Sequence, residues 1–136
     1  MHFIQLNQRF FEIYINYLSE INISLLYNNQ QINFNLAVIY YTNEFTPRDI
    51  KKAIHYFTIM ANENNKNSQF NLGVIYYTGE FISRDINKAI HYFTLAANQN
   101  HPDAQFILGK IFFSGRFLHL DIDKAIHYFT LAANNN

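Results

Sequence analysis

Cysteine and tryptophan are both absent from the 136 residues. Without cysteine, neither a disulfide framework nor a thiolate metal site can form. Charge of one sign is also missing, since ten basic side chains balance ten acidic ones and the formal net charge is zero. A nucleic acid or an anionic membrane surface as main partner calls for a basic excess, so neither is expected. No window approaches about 18 uninterrupted apolar residues, so no membrane span is expected. The first ten residues, MHFIQLNQRF, are interrupted by polar side chains too often to form a signal-peptide core, which favours a cytoplasmic setting. What the chain does have is 49% hydrophobic and 18% aromatic residues against 15% charged ones. That balance suits a globular chain with one continuous core.

The strongest internal signal is repetition. Phe34, Phe70 and Phe106 stand 36 residues apart, as do Asp49, Asp85 and Asp121, and His55, His91 and His127. The tetrapeptide His-Tyr-Phe-Thr recurs unchanged at 55–58, 91–94 and 127–130. A fixed period of this length marks a repeat array. Residues 3 to 27 depart from the repeat in letters, yet Ile4, Phe10, Phe11, Tyr14, Tyr17, Leu18, Ile21 and Leu25 keep helical spacing. Terminal units of such arrays are usually atypical, so residues 1–32 read as a degenerate capping half-repeat.

Each unit reads as a helical hairpin. In the middle copy, helix A is predicted from about Ser68 to Thr78 and stops at Gly79, a left-handed C-terminal position. Asn43 and Gly115 fill that place in the other copies. A short loop leads to Asp85, an N-cap whose carboxylate accepts from first-turn amides and meets the positive end of the helix dipole. Helix B is predicted from about Ile86 to Asn98, with Ile86, Ala89, Ile90, Phe93, Ala96 and Ala97 on one face. Asn64 and Asn100 follow helices B and suit a left-handed cap, and Pro102 opens the next helix A. Ala37, Gly73 and Gly109 share one helix-A position, where a small residue is expected to let two helices approach closely.

These residues carry a resemblance. Leu72-Gly73-x-x-Tyr76-x-x-Gly79, then Asp85-x-x-Lys88-Ala89, then Tyr92-Phe93-x-x-Ala96-Ala97 resembles the Sel-1-like repeat, a short relative of the tetratricopeptide repeat. The third copy matches through Leu108-Gly109, Gly115, Asp121, Lys124-Ala125, Tyr128-Phe129 and Ala132-Ala133, and the first matches less closely. One departure is plain: the family usually carries a second glycine in the loop, where this chain has Phe45, Phe81 and Phe117. The resemblance implies an all-α fold, a right-handed α-solenoid of antiparallel hairpins forming a tetratricopeptide-like superhelix. Its units would be 33–68, 69–104 and 105–136. It also implies an adaptor that holds other proteins in complexes, and not an enzyme.

A second helix-A stripe suggests where a partner would sit. Phe70, Val74 and Tyr77 lie at i, i+4 and i+7, off the hairpin face, and recur as Phe34, Val38 and Tyr41 and as Phe106, Lys110 and Phe113. In tetratricopeptide-like arrays helices A line the concave surface, so these nine residues form the candidate groove for a peptide or helix of a partner protein. The bland alternative is that neighbouring repeats bury them as ordinary core.

Other constellations carry less. One histidine per repeat cannot converge on a single metal ion when equivalent helices are roughly 8–10 Å apart, so His55, His91 and His127 read as surface residues. Asp49, Asp85 and Asp121 read as caps, each with a lysine three residues later. No Ser-His-Asp set, glycine-rich phosphate loop or metal-binding helix motif occurs, so no catalytic residue, cofactor or metal is expected. The last helix B ends in Ala132-Ala133-Asn134-Asn135-Asn136 with no capping helix after it. Its Ile126, Phe129 and Ala133 face offers a second reading, a self-assembling module or a fragment of a longer array.

Overall fold

The computed structural model describes residues 8–14, 29–42 (side chains from residue 33) and 48–135. Every regular element among them is an α-helix. In order they are α1 (residues 8–14), α2 (Asn29–Thr42), α3 (Ile50–Asn62), α4 (Lys66–Thr78), α5 (Ile86–Asn98), α6 (Pro102–Ser114) and α7 (Ile122–Asn134). The fold is the all-α solenoid class built of helical hairpins. Among the described residues no helix is long and apolar enough to cross a membrane. The chain divides into two compact units, Met1–Met60 and Ala61–Asn136.

The second unit shows how sequence sets the hairpin. The Asn65 side chain caps α4 by accepting from the Ser68 amide at 2.9 Å, so the helix starts two residues before the predicted Ser68. Gly79 ends it at φ 62°, and Gly115 ends α6 at φ 58°. Helix B begins each time on aspartate, whose carboxylate accepts from the amide three residues on: Lys88 to Asp85 at 3.0 Å and Lys124 to Asp121 at 2.9 Å. That amide is the leading reason the Asp121 carboxyl titrates below its ordinary range. The amides of Asp85 and Asp121 also donate back to Tyr76 and Phe112, at 3.0 and 3.1 Å, which pins the loop to helix A. Asn64 and Asn100 adopt the left-handed conformation, at φ 61° and 58°, as expected.

The loop differs from the family pattern without strain. Phe81 and Phe117 have no positive φ, so no glycine is required there. Phe117 instead sets its ring edge-on to Tyr77, 6.0 Å between centroids, and joins the loop of one hairpin to helix A of the one before. Phe45 and Asn43 lie outside the described residues.

The small helix-A residues have a more specific cause than helix approach. The Phe93 ring lies over Gly73, where an added Cβ would stand 2.5 Å from its Cδ1, and Phe129 lies over Gly109 at 2.7 Å. The glycines clear a seat for a ring. Phe93 is fully buried, which stabilises by about 2 kcal/mol. Around it Ala89, Ala96, Ala97, Ala104, Leu108 and Ile111 form the core of the unit.

A buried polar relay runs through this core. Gln105 donates to the Ala97 carbonyl at 3.1 Å and accepts from Asn135 Nδ2 at 3.1 Å. One repeat earlier, Gln69 donates to the Ala61 carbonyl at 3.1 Å and accepts from Gln99 Nε2 at 2.7 Å. Both glutamines are buried, at 1% exposure or less, so their amides need these partners. Sequence pattern alone gave no sign of them.

In the first unit the same hairpin recurs. Asp49 accepts from the Lys52 amide at 3.0 Å and donates its own amide to the Tyr40 carbonyl at 3.0 Å. Ala37, Ala53, Phe57 and Met60 are buried. Tyr40 and Tyr56 stack with 3° between their planes, and Phe11 of α1 meets Tyr40 edge-on at 6.0 Å. Phe10 and Tyr14, counted in the capping stripe, are exposed here. The other stripe residues, Ile4, Tyr17, Leu18, Ile21 and Leu25, lie outside the described residues, and α2 begins at Asn29, inside the expected cap.

One cap is an imidazole. His101 is buried, stacks on Phe70 at 4.4 Å, and caps α6 with Nδ1 accepting from the Ala104 amide at 3.4 Å. Only neutral imidazole can accept there, with its proton on Nε2. Burial lowers its pKa below the ordinary value, Lys66 adds to that, and Asp103 opposes it. The folded state then binds fewer protons than the unfolded one just below the ordinary histidine pKa near 6.5. The stabilisation is complete above that pH and is lost as pH falls toward the lowered folded value. The melting temperature should drop between pH 7.5 and 5.5, and His101→Asn, which copies the Asn65 cap, should flatten that part of the profile.

Candidate functional site

Helices α2, α4 and α6 each present the predicted stripe beside the phenylalanine of the following helix. Phe34 and Tyr41 meet Phe57 edge-on, at 6.0 and 6.4 Å between centroids. Phe70 and Tyr77 meet Phe93 at 5.8 and 6.1 Å, and Phe106 meets Phe129 at 5.6 Å. The stripe is therefore the outer wall of each hairpin core. Positions seven apart on one helix lean on the same ring from either end.

Exposure then differs along the second unit. Phe70, Val74 and Tyr77 are half-buried and pack against the core, because His101 covers Phe70 and Phe117 covers Tyr77. Phe34, Val38 and Tyr41 are also half-buried. On α6 the stripe opens. Phe106 is 50% exposed and Phe113 60%, with Lys110 exposed between them and its ammonium 5.1 Å from the Phe106 ring centre.

Three residues not anticipated for the site border this face. Phe117, in the loop after α6, sets its ring edge-on to Tyr77 of α4, and Arg84 and Arg116 set their guanidinium groups 5.6 and 5.2 Å from its ring centre. Arg84 also donates to the Thr78 carbonyl at 3.3 Å, at the negative end of α4. Phe117 lies in the loop, as expected from the sequence, and helical spacing does not foretell that its ring reaches this face. The arginines' placement depends on the loop conformation.

The helix-B side has a different character. Lys52, Lys88 and Lys124 pair with Asp49, Asp85 and Asp121 at 3.9, 3.7 and 3.3 Å. Each also sits about 5 Å over an aromatic ring, Tyr40, Tyr76 or Phe112. Such exposed pairs contribute little individually. His55, His91 and His127 are exposed, each edge-on to the next tyrosine in sequence. Among the described residues no group of three His, Asp or Glu is placed to hold a metal ion. The structure thus brings together an aromatic and cationic helix-A face.

Comparison with known proteins agrees with this architecture. The Sel1 repeat family profile matches residues 33–65, 66–101 and 102–136. No curated protein matches at a significant level. Among solved structures, a protective antigen of uropathogenic Escherichia coli displaying an SLR fold is similar at 26% identity and a TM-score of 0.74. The match covers 79% of this chain and 23% of that one. A Sel1 repeat protein from Oxalobacter formigenes is 32% identical with a TM-score of 0.72, covering 79% of this chain and 44% of that one. The chain therefore spans less than half the length of either. Helicobacter pylori cysteine-rich protein B shares the fold at 20% identity and a TM-score of 0.65, covering 78% of this chain and 84% of that one. Sel1 repeat proteins generally serve as non-enzymatic protein-interaction scaffolds. With three units matched over residues 33–136, the chain belongs to the Sel1 repeat family.

Proposed function

We propose that this chain is a non-enzymatic adaptor that binds a peptide or helix of a partner protein on the face lined by helices A. Its repeats divide at 33–68, 69–104 and 105–136, with residues 1–32 as the capping half-repeat. The contact is centred on Phe106, Lys110 and Phe113, and Phe34, Val38, Tyr41, Phe70, Val74 and Tyr77 supply the half-buried wall of the other repeats. The observation that carries this reading is that two large aromatic side chains on one helix face are at least half exposed, beside a cation. Aromatic anchors of this kind carry most of the energy of helix-in-groove recognition. Affinity capture with the wild-type chain beside a Phe106→Ser/Phe113→Ser variant of equal helicity tests it. Each lost anchor should cost about 2 kcal/mol, a roughly thirty-fold weakening. Identical captures by the two chains would remove the face from consideration.

A second reading, association with another copy through the outer face of α7, is favoured by one observation: Ile126 is 58% exposed on it. Phe129, expected on that face, is unsuitable for the test because its ring fills the seat over Gly109. Light scattering after size exclusion should instead show an assembly that Ile126→Glu returns to monomer. A wild-type chain monomeric at high concentration would contradict it.

A further inference from the structure

The third repeat departs from the other two in charge, on the side where helices A present their stripe. Arg116 stands where the earlier copies have Glu44 and Glu80, and Lys110 where they have Val38 and Val74. Neither exchange serves the core, since both side chains are exposed. Arg116 lies 5.2 Å from the ring centre of Phe117, and Arg84 of the preceding repeat reaches the same ring at 5.6 Å. The meeting is internal to the array. It joins the loop after α4 to the loop after α6, and the edge-on contact with Tyr77 holds Phe117 in place for it.

Two like charges gathered on one ring repel each other, and no carboxylate offsets them. Among the described residues neither Arg84, Arg116 nor Lys110 makes an ion pair, not even Arg84 with Glu80 four residues before it. A guanidinium has five N–H donors. Arg84 directs one of its set to the Thr78 carbonyl, and among the described residues the Arg116 guanidinium donates to nothing. The remaining donors form planar forks that match a carboxylate in two-point geometry. Because each fork is already held against a ring, it has less freedom to lose on binding than a lysine in solvent.

We propose that Arg84 and Arg116 select a partner helix that carries carboxylate side chains, gripping them while the neighbouring stripe takes its apolar face. This rests on the helix-A reading above and names the chemistry of its partner, an acidic amphipathic helix. A polypeptide is favoured over a nucleic acid because the chain has no basic excess with which to displace counterions from a phosphate backbone. The probes are three labelled helical peptides with one leucine stripe and flanks of glutamate, glutamine or lysine, titrated into the full chain by fluorescence anisotropy. The glutamate peptide should bind about tenfold more tightly than the glutamine peptide, and the lysine peptide most weakly. Arg84→Gln and Arg116→Glu, the second restoring the residue of the other repeats, should each weaken the glutamate peptide at least about fivefold and leave the glutamine peptide unchanged. Lys88→Gln, which removes a cation already paired on the helix-B side, should change nothing. An equal loss with Lys88→Gln would overturn the proposal, since the attraction would then be diffuse. Equal binding of the glutamate and glutamine peptides, both lost with Phe106→Ser/Phe113→Ser, would overturn it and leave the helix-A reading standing. Glutamate-peptide binding that responds to the arginines but not to Phe106 and Phe113 would support the arginine pair and contradict the helix-A anchors. Failure of all three peptides to bind would overturn the proposal, with capture by the Phe106→Ser/Phe113→Ser variant deciding the helix-A reading separately. A single-stranded RNA held more tightly than the glutamate peptide, through the same arginines, would also overturn it.

Discussion

Each helix A of the second unit is held between the ends of two helices B by one buried amide. A primary amide taken out of water without partners costs roughly 2 kcal/mol or more, so it stabilises only where both its oxygen and its nitrogen are satisfied. Gln105 meets that condition, with one hydrogen bond to Ala97 at the end of α5 and one from Asn135 at the end of α7. Apolar packing alone tolerates sliding by a residue; this geometry does not. The relay therefore fixes the height of α6 against its neighbours, and with it the positions of Phe106, Lys110 and Phe113. The ring of Phe129 over Gly109 then fixes the separation within the hairpin. Register comes from the amide and spacing from the ring.

Much of this was legible in the sequence. The 36-residue period named the hairpins, and Asp85, Gly79, Asn100 and Pro102 marked helix ends because capping is local chemistry, set by a few neighbouring residues. What stayed hidden depends on partners distant in sequence. Gln69 and Gln105 look like solvated polar residues in any periodicity count, because their partners are backbone carbonyls eight residues earlier. The small residue at 73 was legible, but not its cause, since a ring seat and a close helix crossing ask for the same letter. The stripe residues lie along helices A, and their burial varies between copies. His101 and Phe117 come from the following repeat and cover Phe70 and Tyr77, and helical periodicity within one repeat cannot count neighbours.

Charge is divided between the two sides of the hairpins. Along helices B, Lys52, Lys88 and Lys124 are each matched by the aspartate of their own cap. Lys110 of α6, Arg116 of the loop after it and Arg84 of the loop after α4 rest on aromatic rings instead. A cation over an exposed ring remains free to exchange its water for a partner's carboxylate or carbonyl, and the ring beneath offers apolar area. The net charge of zero therefore conceals a polarised unit. The loop phenylalanine that departs from the family pattern is part of this polarity, since Phe117 is the ring on which both arginines rest.

Amide hydrogen exchange on a Gln105→Leu variant tests the role of the relay most directly. The account predicts that protection falls together at the last turns of α5 and α7, which that side chain's two hydrogen bonds join, while the caps at Asp85 and Asp121 keep theirs. Loss confined to α6, with both helix-B ends as protected as in the wild type, would contradict it and leave apolar packing alone as what sets the register.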